Sequence, residues 1–179
     1  RRTELATIEG EVDIEDLIPE ESCVVTLTRF GYLKRQPLDV YKTQRRGGRG
    51  ISGMTRRDED FVSDIYTCST HDYLMFFTNK GKVYRIKGYE IPEGSRTSRG
   101  TNVVNILPLE QNEKITCVIK TSDIAAENKY YVMVTRNGII KRTEYNAYIN
   151  VRKSGLIAIN LDEGDELAWV KITNGSDDL

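Results

Sequence analysis

A repeat of about fifty residues constrains the fold of this chain more than any other feature of its sequence. Three segments, 24–35, 73–85 and 131–142, share a Thr-x-x-Gly core between apolar runs, with an arginine four residues after the glycine. The glycines Gly31, Gly81 and Gly138 lie 50 and 57 residues apart. Such self-similarity is typical of repeat architectures, in which no unit buries its faces alone.

Each repeat predicts a β-hairpin. The apolar runs are rich in Val, Ile, Tyr and Phe, which fit a pleated, half-buried surface. Asn137-Gly138 favours a two-residue turn in which both residues adopt positive φ. A further apolar strand precedes the second and third hairpins, at 61–68 and 114–119, and a fourth copy lies at 166–173 around Trp169.

The expected fold class is therefore all-β, a propeller-like array of four-stranded blades with three blades and the start of a fourth. A closed ring needs more blades, so we expect part of a domain. The expected boundaries are an acidic lead-in at 1–21, blades at 22–71, 72–121 and 122–165, and the start of a fourth blade at 166–179.

The net charge of -1 conceals a strong segregation of charge along the chain. Residues 1–22 carry eight acids against two arginines, and residues 158–179 carry six acids against Lys171. Residues 29–57 carry nine bases against Asp39. A nucleic acid responds to the local electric field and not to the net charge of the whole chain. Charge alone is equally compatible with a basic face that is merely exposed to water.

Composition argues against several other classes of protein. The three cysteines contain no Cys-x-x-Cys pair, and His71 is the only histidine, so we expect no disulfide framework, zinc site or histidine-based catalytic triad. The cysteines are predicted to be small core residues. No apolar run approaches the roughly 20 residues of a membrane span, and no signal peptide is evident. We expect a cytoplasmic protein with no membrane partner.

The sharpest motif is the seven-residue run from Gln44 to Gly50. Three guanidiniums offer planar hydrogen bonding to phosphate oxygens, and the glycines allow backbone N–H groups to approach the same anions. Similar runs occur in disordered RNA-binding tails, but this one lies between predicted strands. No aromatic residue interrupts it, so it indicates a clamp on a double-stranded backbone and not a stacking platform.

Weaker versions of this motif recur in the next two repeats. Residues 94–100 align with it at an offset of 50, and the third copy, 151–155, is two residues shorter. Together with the first run and its neighbouring lysine, they give the predicted DNA-binding residues: Lys42, Gln44, Arg45, Arg46, Gly47, Gly48, Arg49, Gly50, Arg96, Arg99, Arg152 and Lys153. The hairpin arginines Arg35, Arg85 and Arg142 are interpreted instead as ties between a strand and a neighbouring loop.

The run from Gln44 to Gly50 is identical to the seven-residue box that marks the C-terminal domains of bacterial DNA gyrase A subunits. The surroundings, at Asp16–Glu21, Thr28–Arg35 and Ile51–Met54, resemble that family too. The resemblance implies a β-pinwheel, six-bladed when complete, with DNA bent around its basic rim. The wrapped duplex is then the segment transported during ATP-dependent negative supercoiling.

The same resemblance implies partners: double-stranded DNA, the B subunit of gyrase and a second A subunit in a heterotetramer associated with the chromosome. ATP and Mg²⁺ act elsewhere in that complex, and the strand-cleaving tyrosine belongs to an N-terminal domain. The chain is thus expected to need no cofactor and to be no enzyme on its own.

Three alternatives remain at this stage. The equivalent domain of topoisomerase IV shares the fold but typically has a degenerate box. A propeller-type platform for protein interaction would carry the basic loops incidentally. A propeller hydrolase is the weakest alternative, because the acids cluster at the chain ends. The acidic residues 1–22 offer one further possibility, folding back on the basic loop as a DNA mimic.

Overall fold

The computed structural model describes residues 13–41, 60–121 and 127–176, and the strands in these ranges form three antiparallel sheets. A short 3-10 helix precedes the first strand at Ile14–Leu17, and four more lie between strands at Leu38–Tyr41, Gly88–Glu90, Val103–Asn105 and Tyr145–Tyr148. The all-β prediction is confirmed. The strands are β1 (Ser22–Thr28), β2 (Tyr32–Pro37), β3 (Val62–Ser69), β4 (Tyr73–Thr78), β5 (Lys82–Lys87), β6 (Thr101–Asn102), β7 (Ile115–Thr121), β8 (Tyr130–Thr135), β9 (Ile140–Glu144), β10 (Leu156–Ile157) and β11 (Leu167–Thr173).

Each sheet is built around one of the three predicted hairpins. Sheet I has the order β3-β1-β2-β6, sheet II the order β10-β5-β4-β7, and sheet III the order β11-β8-β9. Strands β6 and β10 come from the repeat that follows their sheet in sequence. Consecutive repeats are therefore interlocked through β6 and β10, because each lends a strand to the sheet before it.

The prediction of a fourth blade beginning near Trp169 is wrong. Strand β11 pairs with β8 over the register Leu167↔Thr135 to Thr173↔Tyr130, so it completes sheet III. Strands β3 and β7 likewise pair with β1 and β4, the hairpins that come before them in the chain. Each of these apolar strands thus pairs with the hairpin that comes before it in the chain. Sequence periodicity alone does not show whether a strand pairs with the preceding or the following hairpin.

The three hairpin turns share one hydrogen-bond pattern. In the first, the Gly31 N–H donates to the Thr28 carbonyl at 2.9 Å, and the Tyr32 N–H donates to Thr28 Oγ1 at 3.1 Å. The same bonds recur around the threonines of the other two turns. Gly138 has a φ of +88°, but Asn137 is not among the described residues with positive φ. The predicted turn with both residues at positive φ is therefore wrong. The carbonyl and hydroxyl of Thr135 accept the hydrogen bonds that close this turn instead.

The core forms two layers, one on each side of sheet II. Successive side chains of a strand point to opposite faces, and β4 shows this directly. Leu74 and Phe76 join the cluster shared with sheet I, whereas Met75 and Phe77 join the cluster shared with sheet III. All four are at most 2% exposed, so the apolar run of β4 reflects a sheet buried on both faces.

The cysteines lie in or against these layers, which confirms their prediction as core residues. Cys23 and Cys68 are buried opposite one another on β1 and β3, with their sulfurs 3.5 Å apart. Cys117 is half-buried and is free, like the other two. None of the helices in the described ranges has the length and apolar character needed to cross a membrane.

Candidate nucleic-acid interface

The strongest predicted site residues, Lys42 and the run from Gln44 to Gly50, lie outside the described residues. The structure does describe the two segments that align with this run, residues 94–100 and 151–155, within loops at 93–100 and 149–155. Their geometry shows how such a loop is built in this fold.

Both loops lie at the same edge of successive sheets. The sheets approach one another along β3, β7 and β11. Tyr66 of β3 lies against the Val118 backbone of β7. Thr116 of β7 donates to the Leu167 carbonyl of β11 at 3.3 Å, and Cys117 donates to that of Val170 at 3.4 Å. Strands β6 and β10 lie at the opposite edges of sheets I and II. Because the two loops lead into β6 and β10, they lie on the side away from this convergence, which is the rim.

The first rim loop, residues 93–100, is fastened to β2 of the preceding repeat. Arg35 donates through Nε to the Ile91 carbonyl at 3.2 Å, and its guanidinium lies 3.8 Å from the Glu93 carboxylate. The backbone of Arg35 bonds to Pro92 and Gly94 on either side. This confirms the interpretation of Arg35 as a tie between strand and loop.

The backbone of this loop closes around a buried lysine. The Lys34 ammonium donates to the carbonyls of Ser95, Arg96 and Ser98 at 3.0, 3.1 and 3.0 Å. Burial lowers the pKa of Lys34, and the three carbonyl oxygens oppose that effect by stabilising the charged form. Lys34 was not predicted from the sequence, and the available signal was a basic residue next to Arg35 in a strand otherwise facing the core.

The two predicted arginines of this loop have different surroundings. Arg96 is exposed to solvent. Arg99 is half-buried, with its guanidinium carbon 5.3 Å from the centre of the Tyr32 ring. Its Nε is buried and has no hydrogen-bond partner in the described part of the chain. Arg96 is therefore open to solvent on the rim, whereas Arg99 is held against the sheet.

The second rim loop, residues 149–155, is fastened in a related way. Arg85 donates to the Ile149 carbonyl and stacks 4.4 Å from the Tyr73 ring, which confirms its interpretation as a tie. Arg152 and Lys153 are both exposed on this loop. The structure thus places exposed bases of two repeats at equivalent rim positions.

The third hairpin arginine has no loop beside it in the described residues. Arg142 is exposed and lies 4.8 Å over the ring of Tyr130 within the same hairpin. Its strand, β9, is the edge of sheet III. The tie predicted for Arg142 is therefore not formed within the described part of the chain.

A buried acid in each repeat was also missed from the sequence. Asp60 accepts the Phe30 N–H at 3.1 Å, and Asp165 accepts the Asn137 N–H at 3.0 Å. Glu113 instead accepts the Thr78 hydroxyl at 2.7 Å and the Tyr84 hydroxyl. All three are buried, and their position before the closing strand of each repeat was the signal for them. They hold hairpin turns and sheet contacts in place.

The described part of the acidic lead-in, residues 13–21, packs on the turn between β3 and β4. Glu15 accepts from Lys87 at 2.8 Å, the His71 ring bonds the Ile18 carbonyl at 2.8 Å, and Thr70 bonds the Pro19 carbonyl. His71 is thus a turn residue. These contacts are not on the rim loops, and residues 1–12 lie outside the described residues.

No group of three or more His, Cys, Asp or Glu side chains within 13–41, 60–121 and 127–176 is arranged to hold a metal ion.

Comparison with known proteins decides the family. A profile described as the DNA gyrase C-terminal domain, beta-propeller, matches residues 24–69, 72–122 and 129–174. The chain belongs to this family. The third match extends across β11, in agreement with its place in sheet III.

Curated relatives in the gyrase family are similar over the full length of the chain. The DNA gyrase A subunit of Clostridium acetobutylicum is 52% identical over 179 residues, and that of Staphylococcus epidermidis is 49% identical over 181. Each alignment covers 100% of this chain but 21% and 20% of the relative. The chain therefore spans about a fifth of the length of the gyrase subunits it matches.

Solved structures of two related domains share the fold. The C-terminal domain of DNA topoisomerase IV superposes with a TM-score of 0.75 at 33% identity, covering 88% of this chain and 47% of that one. A DNA gyrase A C-terminal domain gives 0.66 at 32% identity, covering 86% and 48%. The fold is therefore common to both domains, whereas the more similar full-length relatives above are gyrase subunits.

Proposed function

We propose that this chain binds double-stranded DNA along its rim and bends it, as part of a DNA gyrase A subunit. The observation that carries the proposal is the equivalent placement of two loops with exposed bases, Arg96 on one and Arg152 and Lys153 on the other. A curved surface that repeats a basic loop holds a duplex at intervals. The aligned run from Gln44 to Gly50 adds the densest group of arginines in the sequence.

The chemistry of these loops suits the phosphate backbone. Guanidiniums bind phosphate oxygens with paired, charge-assisted hydrogen bonds, and such contacts position DNA without reading its bases. Bending a site of 20–30 base pairs costs about 1–6 kcal/mol, which additional backbone contacts offset. We therefore expect binding with little sequence preference beyond the ease of bending.

Within the whole gyrase complex, the bent duplex becomes the segment presented for ATP-dependent negative supercoiling. The proposed partners are DNA, the B subunit of gyrase and a second A subunit in a heterotetramer in the bacterial cytoplasm. ATP and Mg²⁺ act in other parts of that complex, and this chain contributes DNA geometry rather than a chemical step. The intact seven-residue box and the similarity to DNA gyrase A subunits favour gyrase over topoisomerase IV.

The test is supercoiling by the full-length A subunit reconstituted with the B subunit of gyrase. Replacing Arg45, Arg46 and Arg49 with alanine is expected to abolish negative supercoiling, because the wrap is lost, and to spare DNA cleavage and ATP-independent relaxation. A matched control removes three positive charges from the hairpin turns instead, with Arg29, Lys80 and Arg136 changed to alanine. Full supercoiling by the box variant, or equal loss in the control, contradicts the proposal.

A further inference from the structure

Lys34 is a fully buried lysine in sheet I, with 0% of its surface exposed. Its ammonium donates to three backbone carbonyls, and all three belong to the rim loop of the following repeat. A buried ammonium is costly unless its protons have acceptors. The loop must therefore keep Ser95, Arg96 and Ser98 oriented toward Lys34 as long as the lysine is charged and buried.

The close packing around Lys34 leaves this loop little freedom. A Cβ on Gly94 would lie 2.9 Å from Lys34 Cδ, and one on Gly100 would lie 3.0 Å from Lys34 Cβ and 2.6 Å from the Leu33 carbonyl. The glycines at both ends of the loop are thus in contact with the strand that carries Lys34. Arg96, in between, has its carbonyl bound and its side chain free in solvent.

The equivalent positions of the other hairpins show what is particular to Lys34. Tyr84 takes this place in the second hairpin, where the ring packs against Gly155 of a loop two residues shorter. Lys141 takes it in the third, where it is exposed and donates to the Ala158 carbonyl of its own repeat. Among the described hairpins, only the first holds a rim loop around an ammonium.

We infer that Lys34 is a positioning residue for DNA binding, acting through the backbone of the following loop to fix Arg96 where a phosphate can meet it. This inference rests on the proposed function. Lys34 itself touches no ligand. Its role is to fix the loop before DNA arrives, so that binding does not have to order the loop.

The experiment measures the affinity of the full-length gyrase A subunit for a linear duplex at fixed salt, with Lys34→Met, Arg96→Ala and both together. One phosphate contact corresponds to a three- to tenfold change in affinity at about 0.1 M salt, so each single variant is expected to weaken binding about three- to tenfold. The double variant is expected to bind within about twofold of either single one, because both remove the same contact. Lys141→Met is the matched control and is expected to leave affinity unchanged.

A second measurement reports the loop alone. In Lys34→Met, tryptic cleavage after Arg96 is expected to be at least about tenfold faster than in the wild type, while cleavage at other sites is unchanged. The control Lys141→Met is expected to match the wild type in melting temperature. Should Lys34→Met fail to fold, Lys34→Gln replaces it, because its amide retains two N–H donors.

The outcomes separate the two proposals. The role of Lys34 is overturned if the losses of DNA affinity in Lys34→Met and Arg96→Ala multiply in the double variant. It is also overturned if the rate of cleavage after Arg96 is unchanged in Lys34→Met. Either result leaves the proposal of DNA binding at the rim intact. If neither Arg96→Ala nor the triple box variant weakens DNA binding, the proposed function fails and the inference fails with it.

Discussion

At the scale of single residues, glycines and buried acids decide the local geometry. The threonine-glycine turns predicted from the repeat are present in all three hairpins. The hydrogen bonding within the turns was not predictable. The pair Asn137-Gly138 resembles a two-residue turn in the sequence, and only the structure shows that the Thr135 hydroxyl and carbonyl accept the hydrogen bonds. The buried acids were also missed, since a carboxylate that accepts backbone N–H groups looks like any surface acid in a sequence.

Two glycines with similar φ separate backbone strain from steric contact. Gly138 has a φ of +88° and open space within 4 Å of where a Cβ would lie, whereas Gly100 has +93° and a Cβ there would lie 2.6 Å from the Leu33 carbonyl. We expect Gly138→Ala to destabilise by about 1–2 kcal/mol from the left-handed conformation alone. Gly100→Ala should cost about 1–3 kcal/mol more from overpacking. Thermal unfolding of the two variants checks the difference, and equal losses would contradict it.

Asp165 should make the stability of the third hairpin depend on pH. Burial acts to raise the pKa of its carboxylate, but hydrogen bonds, including those from the Asn137 and Glu166 N–H groups, lower it overall. A lowered folded-state pKa gives stability that is present above the unfolded value of about 3.9 and is lost as pH falls through the folded one.

Asp165→Asn should therefore lower the melting temperature at neutral pH, with the gap to wild type closing as the pH falls below about 3.9 and through the lowered pKa of the folded state. Asp162→Asn, which removes an exposed acid three residues away, is the control. A gap that stays constant over this pH range would show that the charge of Asp165 does not stabilise the hairpin.

At the scale of elements, the long strands were predictable and their partners were not. Runs such as β4 carry enough apolar residues to be recognised, but β6 and β10 are two residues long and have no pattern of their own. Each of these two strands joins the sheet of the preceding repeat. This pairing depends on contacts between residues far apart in sequence, such as those of Arg35 and Arg85 with the following repeat. For the same reason β11 was assigned to a fourth blade instead of sheet III.

The tie between repeats can be tested with two arginines at equivalent positions. Arg35→Met is expected to destabilise by about 1.5–3 kcal/mol, because it removes charge-assisted bonds from a side chain only 15% exposed. Arg142→Met removes an exposed ring contact and should cost about 0.5–1 kcal/mol. Unfolding by urea compares the two, and a larger loss for Arg142→Met would contradict the role assigned to Arg35.

At the scale of the whole molecule, three interlocked sheets place basic loops along one edge. The fold class agrees with the expectation from the repeat and from the resemblance to gyrase, and Arg96, Arg152 and Lys153 are exposed on their loops, while their DNA-binding role stays a prediction. The arrangement of the rim itself was not predictable, because it depends on how β7 and β11 meet at the opposite edge. The role of the run from Gln44 to Gly50 stays a prediction, since those residues lie outside the described ranges.

The most direct test of rim binding is the salt dependence of DNA binding by the full-length gyrase A subunit, with and without Arg45, Arg46 and Arg49. The logarithm of affinity should fall with the logarithm of salt concentration by about 0.9 for each phosphate contact. Changing the three arginines to alanine should therefore make this slope shallower by about two to three units, and removing Arg29, Lys80 and Arg136 should not. An unchanged slope in the box variant would contradict phosphate binding by these three arginines.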